Sequence, residues 1–153
     1  MKRIEVKLSL PVVAPLLDVM KELADHLKEG LAAPQVLPDL DAEFLQAWTT
    51  DLLDSQAADV QVLLALFNEE FFSEGVIGLD ESNAEPVVRA CAAVRLRLRE
   101  KFLKDIGDET LESSDVDIAQ LEERVRKAFM CYLFLATLQE LIIQHLDSSI
   151  IES

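Results

Sequence analysis

Four long segments of this chain carry apolar residues at helical spacing, and its glycines all fall between those segments. Repeats at i, i+3, i+4 and i+7 give a helix one face to bury. Glycine and proline, four and five in 153 residues, are too scarce for the many turns of a sandwich or barrel. The pattern predicts an all-α fold: a four-helix bundle-like single domain over residues 1–147, with a short extended N-terminal arm and a frayed tail at 148–153.

The arm is read from period two. Ile4, Val6, Leu8 and Leu10 alternate with Arg3, Glu5, Lys7 and Ser9, which is a strand signal ended by Pro11. Val76-Ile77 is the one obvious partner for it. A first helix over about Val12 to Glu29 has the stripe Val13, Leu16, Leu17, Met20, Leu23, Ala24 and Leu27, and Gly30 stops it. A loop with Pro34 and Pro38 spans Leu31 to Leu40. Asp41 caps a second helix to about Ser73, with Phe44, Trp48, Leu52, Leu53, Ala57, Val60, Leu64, Phe67 and Phe71 on its inner face. It is far longer than the usual helix of about 11–12 residues, so a break is expected at Thr49-Thr50 or Asp54-Ser55. Gly75 and Gly78 open the next loop. Asn83 caps a third helix, with Pro86 in its first turn, running to about Ile106. An acidic, turn-rich loop spans Gly107 to Ser114. Ser114 with Asp117 resembles a capping box for a fourth helix, to about Asp147. That helix is apolar nearly all round from Ala128 to Leu138, as the most buried helix of a bundle would be. Tyr132 and Trp48 read as core aromatics with a polar handle.

Charge is unevenly placed. The net charge is −15, and no Lys or Arg stands between Glu29 and Val88. From Arg89 to Lys104 the third helix reverses the balance, with Arg89, Arg95, Arg97, Arg99, Lys101 and Lys104 against Glu100 alone. Two readings compete. In the plainer one, the basic helix packs among acidic elements and pairs within the chain. In the sharper one, it faces an acidic partner or a second copy. A polyanion repels a phosphate backbone and an anionic bilayer, so neither nucleic acid nor membrane is an expected partner; a protein partner or self-association is.

Helical rotation of about 100 degrees per residue places Arg95 and Arg99 in the middle of a wide apolar arc of the third helix. A buried arginine must find a partner or extend to water, because leaving it unpaired costs several kcal/mol. Gln139 lies at the centre of the apolar face of the fourth helix and Glu140 at its edge. Arg95 is therefore expected to meet Gln139 or Glu140 across the helix interface. A polar pair fixing helix register is the plainer reading, and a ligand-binding pair the sharper one. Arg95, Arg99, Gln139 and Glu140 are the candidate site residues.

Catalytic and metal motifs do not emerge. His26 and His145 lie near predicted helix C-termini and at no metal-ligand spacing with another His or Cys. The Glu-x-x-His of di-iron bundles does not occur. Asp115-Val116-Asp117 is a fragment of a calcium loop without its other ligands or its glycine. No phosphate-cradling loop, nucleophile elbow or Cys–His arrangement is present, so no catalytic residue, cofactor or metal is expected. Cys91 and Cys131 lie in apolar helical stretches, which fits a reduced cytoplasmic setting; a disulfide between them would require their helices to pack together. Glu5, Lys7 and two prolines interrupt the signal-peptide-like start, and the apolar run Ala128 to Gln139 is shorter than the roughly 18–20 residues that span a bilayer.

Several stretches carry a family resemblance. Leu79-Asp80-Glu81, Val87-Val88-Arg89-Ala90, Val94-Arg95-Leu96-Arg97-Leu98 and Tyr132-Leu133-Phe134-Leu135-Ala136-Thr137-Leu138-Gln139-Glu140 follow one another in the order of an uncharacterised bacterial family. It is domain of unknown function number two-thousand-seventeen, known best from actinobacteria, and the chain resembles it over about residues 79–146. Arg95, Gln139 and Glu140 match its pattern; Ala92 and Ala93 stand where it has Asn-Asp, and Arg99 where it has Gly. The resemblance implies a gene near that of the ClpS protease adaptor, hence a link to regulated proteolysis; some members carry a transcription-regulator label. The expected function is a non-catalytic protein-interaction or adaptor module. The alternatives are a transcription-associated regulator, or a small-molecule-binding helical protein or enzyme.

Overall fold

A computed structural model describes residues 3–28, 42–103 and 121–146. The expected Gly30 stop, the loop 31–40, the Asp41 cap, the acidic loop with its Ser114–Asp117 box, and the tail lie outside the described residues. Within them the chain is mainly helical with a small two-stranded sheet.

The N-terminal alternation forms β1 (Arg3–Lys7), antiparallel to β2 (Val76–Asp80), in a register that sets Ile4 opposite Leu79 and Val6 opposite Ile77. All four face the core, and Arg3, Glu5 and Lys7 face water. The strand ends at Lys7, earlier than the alternation suggests. Leu10 already belongs to α1 (Leu10–Leu27), because Pro11 sits in the first helical turn, where its missing N–H costs nothing. The Ser9 carbonyl accepts from Val12 and Val13 at 3.1 and 2.9 Å, which starts the helix. Every residue of the expected α1 stripe is buried.

The second helix departs from expectation. α2 (Ala42–Ala65) is unbroken through both expected break points. The Thr50 hydroxyl donates back to the Gln46 carbonyl at 2.9 Å and so satisfies itself inside the helix. The break comes at Leu66–Asn68. There Leu66 and Phe67 tighten to the carbonyls three residues back, and Asn68 adopts extended backbone. Its side chain accepts from Glu70 and Phe71 N–H, capping the short α3 (Glu69–Glu74). Gly75 ends α3 with φ of 72°, so Gly75 is a helix terminator. Gly78, expected in a loop, lies within β2 beneath the Arg3 guanidinium.

α4 (Ala84–Lys101) starts at the expected place with Pro86 in its first turn. Asn83 occupies the cap position, but its side chain turns to the sheet. It accepts from Asp80 N–H at 2.9 Å and donates to the Gly78 carbonyl at 3.1 Å. The helix closes at Lys101 rather than Ile106, where Phe102 and Leu103 N–H both point to the Leu98 carbonyl. α5 (Glu123–His145) begins well after Ser114.

α4 lies against α2, α5 and α1, and α5 also packs on α1. One hydrophobic cluster joins α1, the C-terminal part of α2, β2, α4 and α5. α5 reaches a mean hydropathy of 1.2, long and apolar enough to cross a membrane by length and composition alone. Its Phe129, Cys131, Tyr132, Leu135, Leu138 and Ile142 are buried within this core. Polar ties join helices at their rims. Gln56 donates to the Leu27 carbonyl at the end of α1, at 2.7 Å. Arg89 grips Asp59 of α2 with two bonds, at 2.9 and 3.0 Å, and Glu85 on its own helix.

Candidate functional site

Between α4 and α5 the apolar interface is crossed by one polar seam. Arg95 Nη1 donates to Gln139 Oε1 at 2.7 Å, and Nη2 to the Tyr132 hydroxyl at 3.0 Å. The guanidinium also lies over the Tyr132 ring, 4.4 Å from its centroid. Gln139 Nε2 in turn donates to the Val88 carbonyl at 3.0 Å. The amide thus bridges a backbone acceptor on α4 and a cation on the same helix, which locks the rotation of α5 against α4. The structure brings Arg95 to Gln139. Glu140 is exposed on the flank, where Gln144 Nε2 reaches it at 3.4 Å. Tyr132, read from sequence as a core aromatic with a polar handle, is that, and its hydroxyl is the second acceptor of the seam.

Arg99 lies one turn beyond Arg95 and is half-buried. The two arginines, with Ala92, Leu96 and Tyr132, line a shallow depression of about 260 Å³. Other basic groups are held by nearby acids: Arg89 by Asp59 and Glu85, Arg97 by Glu100 at 3.4 Å, and Arg124 by Glu22 at 3.2 Å. A larger cavity of about 440 Å³ lies between α1, the end of α4 and the start of α5, with Asp18, Glu22, Arg124 and Lys127 mixed on its walls. Arg124 lies over the Phe102 ring there, at 4.7 Å.

Cys91 and Cys131 are buried and free. Burial pushes both thiols up to about 12, and for Cys91 the neighbouring Cys131 adds to it. A thiol that stays protonated is a poor nucleophile and metal ligand. Among the described residues, no group of three or more His, Cys, Asp and Glu converges as metal ligands would. At the β2–α4 turn, Asp80 accepts from the Ser82 hydroxyl, the Ser82 N–H at 2.8 Å and the Asn83 N–H at 3.2 Å. The Ser82 hydroxyl bond does most to hold its carboxyl below the ordinary range, aided by these N–H groups and Arg3 and opposed by partial burial. The arrangement orders the turn.

The main correction concerns Phe44 and Trp48. Both were expected on the inner face of α2, and both are exposed, at 52% and 43%. Their rings stack on one another at 6.4 Å with planes 19° apart. The cause is the missing break. At about 100 degrees per residue, a straight helix carries Phe44 and Trp48 within about 40 degrees of each other. Val60 and Leu63 then lie about 100 to 160 degrees round from Phe44. On one unbroken helix the two pairs therefore face different sides. The core takes Val60 and Leu63, the buried residues of α2, and leaves the aromatic pair outside. That rotation was computable from the sequence, but the residues of both halves were set on one inner face without it.

Asp51 falls in the same arc as the two rings, and Asp54 and Glu43 flank it; all three are exposed. This half of α2 therefore presents an aromatic pair on an acidic ridge. Neither the curated proteins nor the solved structures contain a match to this chain. A family model does match, over residues 11–146, which includes the sequence of the α4–α5 seam and of the exposed half of α2 alike. The chain belongs to the family defined by the domain of unknown function DUF2017.

Proposed function

We propose that this protein is a non-catalytic protein-interaction or adaptor module, a bundle-like helical domain that offers one recognition face. The observation that carries the reading is the Phe44–Trp48 pair, large aromatics left in water on a helix whose other half is locked into the core. Aromatic residues are the side chains most enriched at the centres of protein interfaces, and a contiguous exposed apolar patch marks a binding surface. The α4–α5 seam serves as the scaffold, holding the helices in register. The protonated thiols of Cys91 and Cys131 support the non-catalytic reading, and a reducing cytoplasm suits them. The link to regulated proteolysis comes from the family resemblance, which implies a gene near that of the ClpS adaptor.

The test is affinity purification of the tagged chain from its native cell at native expression, followed by sizing of the complex. A partner should copurify with the native chain and be lost from the Phe44→Ser/Trp48→Ser variant. If nothing copurifies with the native chain, the reading fails.

A further inference from the structure

The exposed half of α2 says what kind of partner fits it. We infer that Phe44, Trp48 and Asp51 form a docking ridge for a basic amphipathic helix of another protein, an inference that rests on the interaction-module reading and specifies its partner. Phe44, Trp48, Asp51 and Ser55 fall within about 60 degrees of arc on α2. From Phe44 to Ser55 they make a straight ridge about 16 Å long, at the rise of about 1.5 Å per residue. A partner helix meets such a ridge with apolar side chains at i, i+3 or i+4, and i+7.

The chemistry along the ridge sorts the partner's residues. The stacked rings of Phe44 and Trp48 take its apolar stripe. Asp51, with Asp54 beside it and Glu43 at the near end, takes Lys or Arg. A cation would also be drawn over the Trp48 face. No basic residue of this chain stands on α2, or anywhere from Gly30 to Val88.

A second copy of this chain fits less well. It brings a net charge of −15 against another −15. Much of its basic helix is already engaged: Arg89 with Asp59 and Glu85, Arg95 with Gln139 and Tyr132, and Arg97 with Glu100. The apolar face of α4 is buried in its own core. The occupant is therefore a cationic amphipathic segment from elsewhere.

Trp48 is the chain's one tryptophan, so its emission reports directly on this surface. The full chain is titrated with three fluorescein-labelled peptides: a Leu–Lys peptide with a helical apolar stripe, its Leu–Glu counterpart, and a Leu–Lys scramble without the stripe. Binding is followed by anisotropy, and Trp48 is followed with the unlabelled peptides. The striped Leu–Lys peptide should bind and move the Trp48 emission to the blue, and the other two should not. Asp51→Asn/Asp54→Asn should weaken binding about five- to ten-fold, and Phe44→Ala about ten-fold. The charge-matched Glu69→Gln/Glu74→Gln pair on α3, beyond the far end of α2, should change it by less than about two-fold. Circular dichroism confirms that each variant is folded.

The ridge is overturned if Trp48 does not move, or if the α2 and α3 double variants weaken binding equally, which is diffuse attraction to a polyanion. It is also overturned if Trp48 shifts with protein concentration alone, which makes a second copy the occupant. A native partner that copurifies and ignores Asp51→Asn/Asp54→Asn would sink the ridge while leaving the interaction-module reading standing.

Discussion

Gln139 is the residue on which the α4–α5 seam turns, because it accepts from Arg95 and donates to Val88 at once. Gln139→Leu removes an acceptor from a half-buried cation and a donor from a backbone carbonyl. It should destabilise the protein by about 1–3 kcal/mol, read as a lowered urea midpoint at unchanged slope. Tyr132→Phe keeps the ring under the guanidinium and loses only the hydroxyl, so about 0.5–1.5 kcal/mol is expected. Arg95→Met added to Gln139→Leu should recover part of the loss, since the pair is then apolar on both sides. Asp80 gives a second residue-scale test. Its carboxyl is held below its ordinary value of 3.8, so its contribution to stability is present above that value and lost as pH falls through the lowered one. Asp80→Asn should lower stability at neutral pH and flatten the loss on acidification below about pH 4, measured by thermal melts across that range. Parallel pH curves for the two proteins would mean that Asp80 does not act this way.

At the scale of elements, the short α3 and its glycine lead into β2, and the Gly75 carbonyl accepts from Leu8 N–H just beyond β1. Gly75 has a positive φ, and a Cβ there would stand 2.7 Å from the Leu8 carbonyl oxygen, which is backbone and cannot yield. Gly75→Ala should cost more than about 1 kcal/mol. At Gly78 the Cβ would meet the Arg3 guanidinium at 2.6 Å, the end of a flexible side chain, so Gly78→Ala should cost less than Gly75→Ala in the same denaturation series. How legible these elements were follows from how local their causes are. The β1 alternation and the α1 stripe each lie within one run of sequence, and both were readable, down to Val76-Ile77 as the strand partner. The Arg95–Gln139 contact was also readable, because each residue sits at the centre of an otherwise apolar face. The break of α2 was not. Threonines were read as breakers although Thr50 bonds to its own helix, and Asn68 was overlooked although it is a strong cap followed by two acids. Setting both halves of α2 on one inner face turned Phe44 and Trp48 inward in the sequence reading and hid the surface most relevant to function.

At the scale of the molecule, charge and core divide the work. Among the described residues, Arg89, Arg95 and Arg124 tie helices to one another, and the N-terminal half of the acid-rich α2 faces outward with its aromatic pair. The core keeps its thiols out of reach. Cys91 and Cys131 should resist alkylation in the native protein at pH 8 and react fully once it unfolds, so their labelling rate should track global unfolding under increasing urea. Fast labelling of either thiol under native conditions would show that the α4–α5 interface opens locally. The most direct test of the Phe44–Trp48 recognition face is amide hydrogen exchange, compared between the isolated chain and the complex purified from its native cell. New protection should concentrate in residues 42–55 and leave the α4–α5 seam unchanged. Protection confined to α4 and α5, with 42–55 exchanging as in the isolated chain, would contradict it.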